Sequence, residues 1–304
     1  MPDTGIITTG SHPKALWPGV KRWFGVGYGE HSEEYRVLFD IINSSQNYEE
    51  DVQANPFGLV PQKNEGTGVT YTGQTQGWTK RYVHIAYSLG FIVTYEEMKD
   101  NLYEKLANSR AKALGFAFRQ TKETVAANVY NRAFNASYTG GDGSALCVST
   151  HSTRVGSQSN IITAADISEQ AIEDMITAIM GATDERGNKI MLMPQTLLVA
   201  RQDWFEANRI LKSVLQNDTA NNATNVLKAT NALPGGISMN HFFTDADAWF
   251  IKTNCPDGMT MFQRDSYPLK RDNDFDTDNA KAKAYDRYSV GWTDWRGVYG
   301  SAGA

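Results

Sequence analysis

The sequence predicts an α+β fold, and three patterns carry that expectation. One apolar stripe keeps helical spacing from Thr94 to Phe134, an alternating run from Arg81 to Val93 reads as a strand, and shorter strands and helices share the C-terminal half. With 304 residues, 41% of them hydrophobic and 11% aromatic, the chain can bury the core of one elaborate domain or of two.

The N-terminal segment, to about residue 50, does not look like a domain. Gly5, Gly10, Pro13, Pro18, Gly19, Gly25, Gly27 and Gly29 punctuate it, and Trp17, Trp23 and Phe24 follow neither helical nor strand spacing. Only Glu33 to Ile42 suggests a short helix, with Tyr35, Leu38, Phe39 and Ile42 on one face. Such an arm cannot build its own core, so its large rings pack either on the rest of the chain or on a neighbouring subunit. Residues 51–80 are polar and glycine-rich around Val69, Tyr71 and Trp78.

In the strand from Arg81, Val83, Ile85, Tyr87, Leu89, Phe91 and Val93 share one face, and Tyr82, His84, Ala86, Ser88, Gly90 and Ile92 the other. At ~3.3 Å per residue it spans roughly 40 Å. Preceded by a glycine-rich excursion, it predicts a two-stranded arm that needs a partner surface, because a lone hairpin is marginal in water. That favours assembly.

The helical stripe opens on Thr94-Tyr-Glu-Glu97, a capping box, and runs through Leu114, Phe118, Thr121, Val125, Val129 and Ala133, with Gly115 a point of kinking. About 40 helical residues would be ~60 Å long, a spine rather than a globular helix. Beyond it, Ser168–Met180 and Asp203–Leu215 are amphipathic, the latter facing inward with Trp204, Ala207, Leu211, Val214 and Leu215. Thr196–Ala200 is a short apolar strand, and Gln216–Asn231 a loop. Ala248–Thr253 and Met259–Arg264 flank Pro256-Asp257-Gly258 as a hairpin, and Ala280–Trp292 returns as a strand.

Composition excludes several classes. A formal charge of −5 argues against a protein that wraps nucleic acid through a basic face. No apolar run approaches the ~20 residues of a membrane helix. Met1-Pro-Asp-Thr4 lacks the basic and apolar regions of a secretory signal, and Cys147 and Cys255 form neither a disulfide framework nor metal-ligand spacing. The expectation is a soluble, reduced, core-forming protein.

Catalytic signatures are thin. His12, His31, His84, His151 and His241 are dispersed, and no G-x-S-x-G elbow surrounds Ser149 or Ser152 beside His151. His84 reads as a surface or hydrogen-bonded histidine. Gly25-Val-Gly-Tyr-Gly29 has Glu30 where a phosphate fingerprint needs its third glycine. Asp272-Asn-Asp-Phe-Asp-Thr-Asp278 spaces its oxygens as a calcium loop does. Thr277 and Lys283 nevertheless occupy the glycine and bidentate-acid positions, so a solvated acidic loop is favoured. No active site, cofactor or metal is predicted.

The order of parts resembles the major capsid proteins of tailed bacteriophages, of the Hong Kong 97 type: a glycine-rich arm, a long hairpin, a spine helix and a body closed by late strands. Gly90-Phe-Ile-Val-Thr94 with Glu97 and Asp100 is similar to that family's junction between extended loop and spine. Asp142-Gly-Ser-Ala-Leu146 with His151 and Asn160, followed by Ile167-Ser168, resembles the segment leading into the axial domain. Met193-Pro194, Leu197-Leu-Val199, Ala246-Asp-Ala-Trp-Phe250 and Gly291-Trp-Thr-Asp-Trp-Arg296 resemble later stretches.

The resemblance implies an N-arm (1–47), an extended loop (48–93), a spine helix of the peripheral domain (94–136), a mainly axial segment (137–255) and late strands returning to the peripheral domain (256–304). It further implies hexamers and pentamers tiling an icosahedral shell around double-stranded DNA, made in a bacterial cytoplasm and residing in the virion. Portal and separate scaffold proteins would be partners, with a possible decoration protein and no membrane. No charged helical segment precedes the arm, so no fused scaffold is expected. Trp17, Trp23, Phe24, Lys63, Tyr71 and Trp78 are the candidate inter-subunit contacts. The covalent crosslinking of some members needs a lysine, an asparagine and an acid; Lys63 sits near the loop tip, but the other two have no match, so crosslinking is not favoured. Two alternatives stay open: an encapsulin-like nanocompartment shell, and a soluble enzyme.

Overall fold

The computed structural model describes residues 17–99, 103–216, 223–273 and 279–304. Its spine is α4 (Tyr103–Asn131), which follows a short α3 (Tyr95–Lys99). Thr94 Oγ1 accepts from the Glu97 amide at 3.3 Å, as the capping box predicts. Where one helix was expected over 94–134, the described residues give two segments, and residues 100–102 lie outside them. Gly115 does not interrupt α4. The buried face runs through Ala111, Leu114, Phe118, Ala126, Ala127, Tyr130 and Ala133, and it includes Arg119, Lys122 and Glu123. The apolar row Thr121, Val125 and Val129 lies beside this face and is only half-buried.

Two four-stranded sheets flank the spine. One has the order β1-β10-β11-β4, built from β1 (Asp40–Asn43), β4 (Ile85–Val93), β10 (Met259–Asn273) and β11 (Ala280–Trp292); β1 is parallel to β10 and the rest are antiparallel. In β11, Ala280, Ala282 and Ala284 are buried while Lys281 and Lys283 point outward, the period-2 pattern of a strand with one covered face. The other sheet has the order β12-β9-β7-β8, from β7 (Pro194–Val199), β8 (Gly236–Met239), β9 (Trp249–Thr253) and β12 (Val298–Ser301). It meets α5 (Glu169–Met180), N-capped by Ser168, in the main core around Trp249, Trp295, Tyr130, Ile172, Met175 and Leu197. β5 (His151–Thr153) and β6 (Gly156–Gln158) form a small ribbon.

The N-terminal segment differs from expectation. Residues Trp17–Tyr28 form a helix, α1, packed on α4, and a second core of Phe24, Val93, Ala111, Leu114, Phe118 and the β11 alanines lies beneath it. Two glycines permit this crossing. A Cβ at Gly27 would come within 2.2 Å of the Lys112 carbonyl oxygen, and one at Gly115 within 2.4 Å of that of Phe24. Gly27, one of the glycines that break the helical reading of 17–28, is therefore part of what lets the helix dock. After it, α2 (Tyr35–Leu38) buries Tyr35 and Leu38, with Phe39 beside them, but Ile42 belongs to β1 and is 45% exposed.

The strand expected over 81–93 is two strands. β3 (Gln76–Val83) pairs with β2 (Tyr48–Ala54) as a hairpin, whereas β4 joins the larger sheet. At the break the burial phase reverses: Tyr82 and His84 are buried, Val83 and Ile85 exposed. Pro256-Asp257-Gly258 is likewise no hairpin. β9 and β10 sit in different sheets, and the turn is a crossover whose Gly258 abuts Gly297. Finally, α6 (Trp204–Lys212) ends before Val214 and Leu215, which are exposed, and Met180 at the end of α5 is 47% exposed. Within the expected loop 216–231 lies α7 (Val226–Ala229), capped by Asn225 and anchored by Leu227.

Candidate functional site

The β2–β3 hairpin is fastened at its foot and bare at its far end. Its foot converges on Thr293 and Asp294, the link between β11 and β12. Trp78 Nε1 donates to the Thr293 carbonyl at 3.0 Å, and the Tyr82 hydroxyl meets Thr293 Oγ1 at 2.7 Å. Thr293 Oγ1 donates to Asp51 at 2.9 Å, and Gln53 Nε2 to Asp294 at 3.4 Å. Burial pushes the Tyr82 hydroxyl up, and burial with the nearby Asp257 and Glu49 charges raises the Asp51 carboxyl. Gly77 is needed there, because a Cβ would lie 2.8 Å from the Gln53 carbonyl oxygen. A cleft of about 480 Å³ opens beside this foot, among Asp51, Glu185, Asp257, Asp294 and Arg296.

The excursion 55–75 has no regular structure. Its neck is tied by Asn55 Nδ2 to Thr75 and by Arg154 and Arg186 to Thr75 Oγ1 and the Gly73 carbonyl. Beyond the neck Leu59 (84%), Val60 (92%) and Tyr71 (92%) stand almost fully in solvent, with Phe57, Val69 and Lys63 also exposed. Tyr71 and Lys63, two of the contact candidates, are thus solvent-exposed on this excursion. Trp78 is half-buried at the foot, hydrogen-bonded inside its own subunit. On α1, Phe24 is 4% exposed and committed to the second core, Trp23 is 42% exposed, and Trp17 opens the helix.

Sequence reasoning missed a polar network under α1 and α2. Glu123 accepts the amides of Glu34 and Tyr35, capping α2, and Arg119 pairs with Glu33 and Glu123. Glu34 in turn accepts the backbone N–H of His241 at 2.9 Å, beyond β8. Lys122 lies between the Tyr35 and Tyr288 rings, 2.5 Å from Gln263 Oε1 and 3.4 Å from Asp286. Burial pushes the Lys122 amine down, opposed by Asp286, and burial pushes the Glu123 carboxyl up, opposed by Arg119. The signal available was three charged residues in a row within an otherwise apolar helical face.

The histidine with neighbouring serines is a structural centre. His151 is fully buried; Nδ1 lies 2.6 Å from Asp142 and Nε2 3.1 Å from Asn160 Oδ1, while the ring stacks on Trp295 at 4.2 Å. Asn160 Nδ2 donates to the carbonyls of Leu146, Val298 and Trp295. Both ring nitrogens are engaged and Ser149 and Ser152 are exposed, so the arrangement offers no base to a nucleophile. His84 is buried between Ser44 and Ser289. Cys147 and Cys255 are free thiols pushed up by burial. The calcium-loop reading of 272–278 falls mostly outside the described residues, among which no group of three His, Cys, Asp or Glu is arranged to hold a metal ion. No described helix is long and apolar enough to cross a membrane.

Solved structures share this architecture. The chain is similar to a virus-like particle subunit from Pyrococcus furiosus, at 12% identity over 93% of this chain and 98% of that one, with a TM-score of 0.56. The Mycobacterium phage Che8 structure gives 15% identity over 90% and 93%, TM-score 0.51, and the capsid of Myoviridae phage XM1 13% over 88% and 90%, TM-score 0.52. The fold is thus of the Hong Kong 97 capsid type. No curated protein sequence matches it. Residues 79–301 match the family described as phage capsid protein, and the chain belongs to that family. Its role is structural, as a component of the virion.

Proposed function

We propose that the chain is the repeating unit of an icosahedral head, arranged as hexamers and pentamers around double-stranded DNA. The observation that carries this reading is the hairpin. An apolar far end with Leu59, Val60 and Tyr71 more than four-fifths exposed is held away from the core by a foot bonded to Thr293 and Asp294. Exposed apolar side chains on a fastened support are a contact surface for another copy. In this reading residues 1–47 are the N-arm, 48–93 the extended loop, 94–136 with the late strands (256–304) the peripheral domain, and 137–255 mainly the axial domain. Heterologous contacts of hairpin and arm close into rings, and the rings tile a shell. Separate scaffold and portal proteins would act during assembly in the host cytoplasm, and a decoration protein could sit on the finished shell.

Electron microscopy of the purified protein tests this. Closed shells of hexamers and pentamers are the expected result; a stable monomer or small oligomer in size-exclusion chromatography would defeat it and favour the soluble-enzyme reading. A second reading follows from the similarity to the Pyrococcus furiosus virus-like particle, whose chain is covered to 98%: a nanocompartment that holds protein cargo. Nuclease-resistant DNA in purified particles supports the phage head, and DNA-free particles with protein cargo the compartment. Denaturing electrophoresis of shells should give monomer-sized bands, since Lys63 has no matched crosslinking partners.

A further inference from the structure

Among the described residues Lys122 is the only buried lysine. Its side chain leaves α4 and ends between Gln263 of β10 and Asp286 of β11. Nζ donates to Gln263 Oε1 at 2.5 Å and lies 3.4 Å from Asp286 Oδ2. Gln263 turns its amide nitrogen the other way: Nε2 donates to Asp286 Oδ1 at 2.5 Å and to the Asp265 carbonyl at 2.9 Å. Those two acceptors settle which end of the carboxamide is nitrogen and which is oxygen. The two charged groups therefore approach the neutral carboxamide more closely than they approach each other. One carboxylate touches both an amine and the nitrogen of the amide group that the amine faces.

The surroundings suit a reaction between them. Lys122 and Asp286 are 5% and 4% exposed, and the rings of Tyr35 and Tyr288 flank Nζ at 5.2 and 5.1 Å. Such a cage keeps out the water that would compete for the amide carbon. Burial pushes the Lys122 amine down; Asp286 opposes this, and the Arg119 and Arg36 charges add to it. A desolvated amine shifted toward its neutral form is a nucleophile. Gln263 Cδ lies one carbonyl bond beyond Oε1, so it is no more than about 3.7 Å from Nζ. That is close to the ~3–3.5 Å from which bond formation starts.

We propose that Lys122 and Gln263 join in an isopeptide bond inside the subunit, with Asp286 as the catalytic acid–base residue. Asp286 takes one proton from the Lys122 ammonium, and the neutral Nζ adds to Gln263 Cδ. Asp286 then gives its proton to Nε2 and accepts a second from Nζ as the Cδ–Nε2 bond breaks. Ammonia leaves and carries off the remaining proton as ammonium, which restores the carboxylate. No oxidant or cofactor enters the balance. The bond ties the spine to the sheet across 141 positions of the chain. It lies within one subunit, so it leaves the monomer-sized bands expected of the shells unchanged and holds independently of the shell reading.

Mass spectrometry of the denatured full chain, with tryptic peptide mapping, tests the bond. The natural chain should be lighter than its sequence by one ammonia. Trypsin should no longer cut after Lys122, and a branched peptide should join that residue to Gln263. Lys122→Arg should show the full mass. In freshly synthesised Asp286→Asn the bond should form slower by about a hundredfold or more; formation at the natural rate would overturn the role given to Asp286. Should either variant fail to fold, the natural chain still decides. Full mass with unbranched peptides, after days in the folded state at neutral pH, overturns the proposal. So does a lost ammonia that maps elsewhere, as to a cyclised asparagine.

Discussion

The foot and the far end of the β2–β3 hairpin are built from similar residues and do opposite things. Trp78 and Tyr82 at the foot are aromatic and locked by hydrogen bonds to one residue, Thr293. Tyr71, only seven positions before Trp78, stands 92% exposed. Composition does not separate them; what separates them is whether another part of the chain offers a partner. The foot meets the link between the two sheets, where polar atoms are available. Beyond the neck, Leu59, Val60 and Tyr71 stay more than four-fifths exposed, apolar surface of the kind that marks an interaction site.

The largest effect is expected where the foot's support is deepest. Asn160 holds three carbonyls and faces His151, so Asn160→Ala leaves several buried polar groups unpaired and should cost at least about 3 kcal/mol. Chemical denaturation of the dissociated subunit reads it. A loss below 1 kcal/mol would show that the junction is not the hairpin's support. Next, Trp78→Ala removes a half-buried indole and its bond to Thr293, and about 2–3 kcal/mol should be lost. Tyr71→Ala should change subunit stability by less than about 0.5 kcal/mol yet reduce the yield of particles. Equal stability losses for Trp78 and Tyr71 would erase the contrast between foot and far end.

The same contrast can be drawn between two glycines. Gly115→Ala places a methyl against the Phe24 carbonyl, forces α1 away from α4 and should cost about 1–3 kcal/mol. Gly25, in the same helix pair, has open space around its Cβ position. Gly25→Ala should stabilise α1 by about 0.5–1 kcal/mol. Thermal unfolding with limited proteolysis of the N-terminal segment separates the two; matching shifts would mean that close approach is not why Gly115 is there.

These pairs also mark what was legible in the sequence. Period-2 alternation announces β11 and β4, and amphipathic spacing announces α5 and most of α4, because in each case one face meets a continuous core. The sequence reading failed where a segment changes partners. Val83 and Ile85 continue the alternation of Tyr87 and Phe91, yet the buried residues at the break are Tyr82 and His84, since β3 leaves the sheet that β4 joins. Pro256-Asp257-Gly258 reads as a hairpin because turn chemistry is local, whereas the sheets its strands enter are set by distant residues. The helix at 17–28 was hidden because Gly27, one of the glycines that argue against it, serves a crossing with Lys112, more than eighty positions away. The contact candidates were named without a way to tell exposed from occupied: Tyr71, Lys63 and Trp23 are exposed in the subunit, whereas Phe24 and Trp78 are occupied within it, a difference set by distant partners.

The smallest effect, and the one that probes the break itself, concerns His84. It is buried where β3 hands over to β4, with Nε2 3.0 Å from Ser44 Oγ and Nδ1 3.0 Å from Ser289 Oγ. Burial, helped by the Arg287 and Arg264 charges and opposed by Glu49, holds its proton affinity below that of an ordinary histidine. The unfolded chain therefore binds the proton more readily than the folded one. Stability from this residue is present above the ordinary value of about 6.5 and is lost as pH falls through the depressed folded value. His84→Gln keeps a donor and an acceptor for the two serines but cannot take up a proton. Between pH 7.5 and 5 the melting temperature of the natural chain should fall more steeply than that of His84→Gln, with the curves converging toward the acid end. Parallel curves would mean that the break is held by Tyr82 and Phe262, whose rings lie 4.9 Å apart, and that the histidine merely fills the space between two serines.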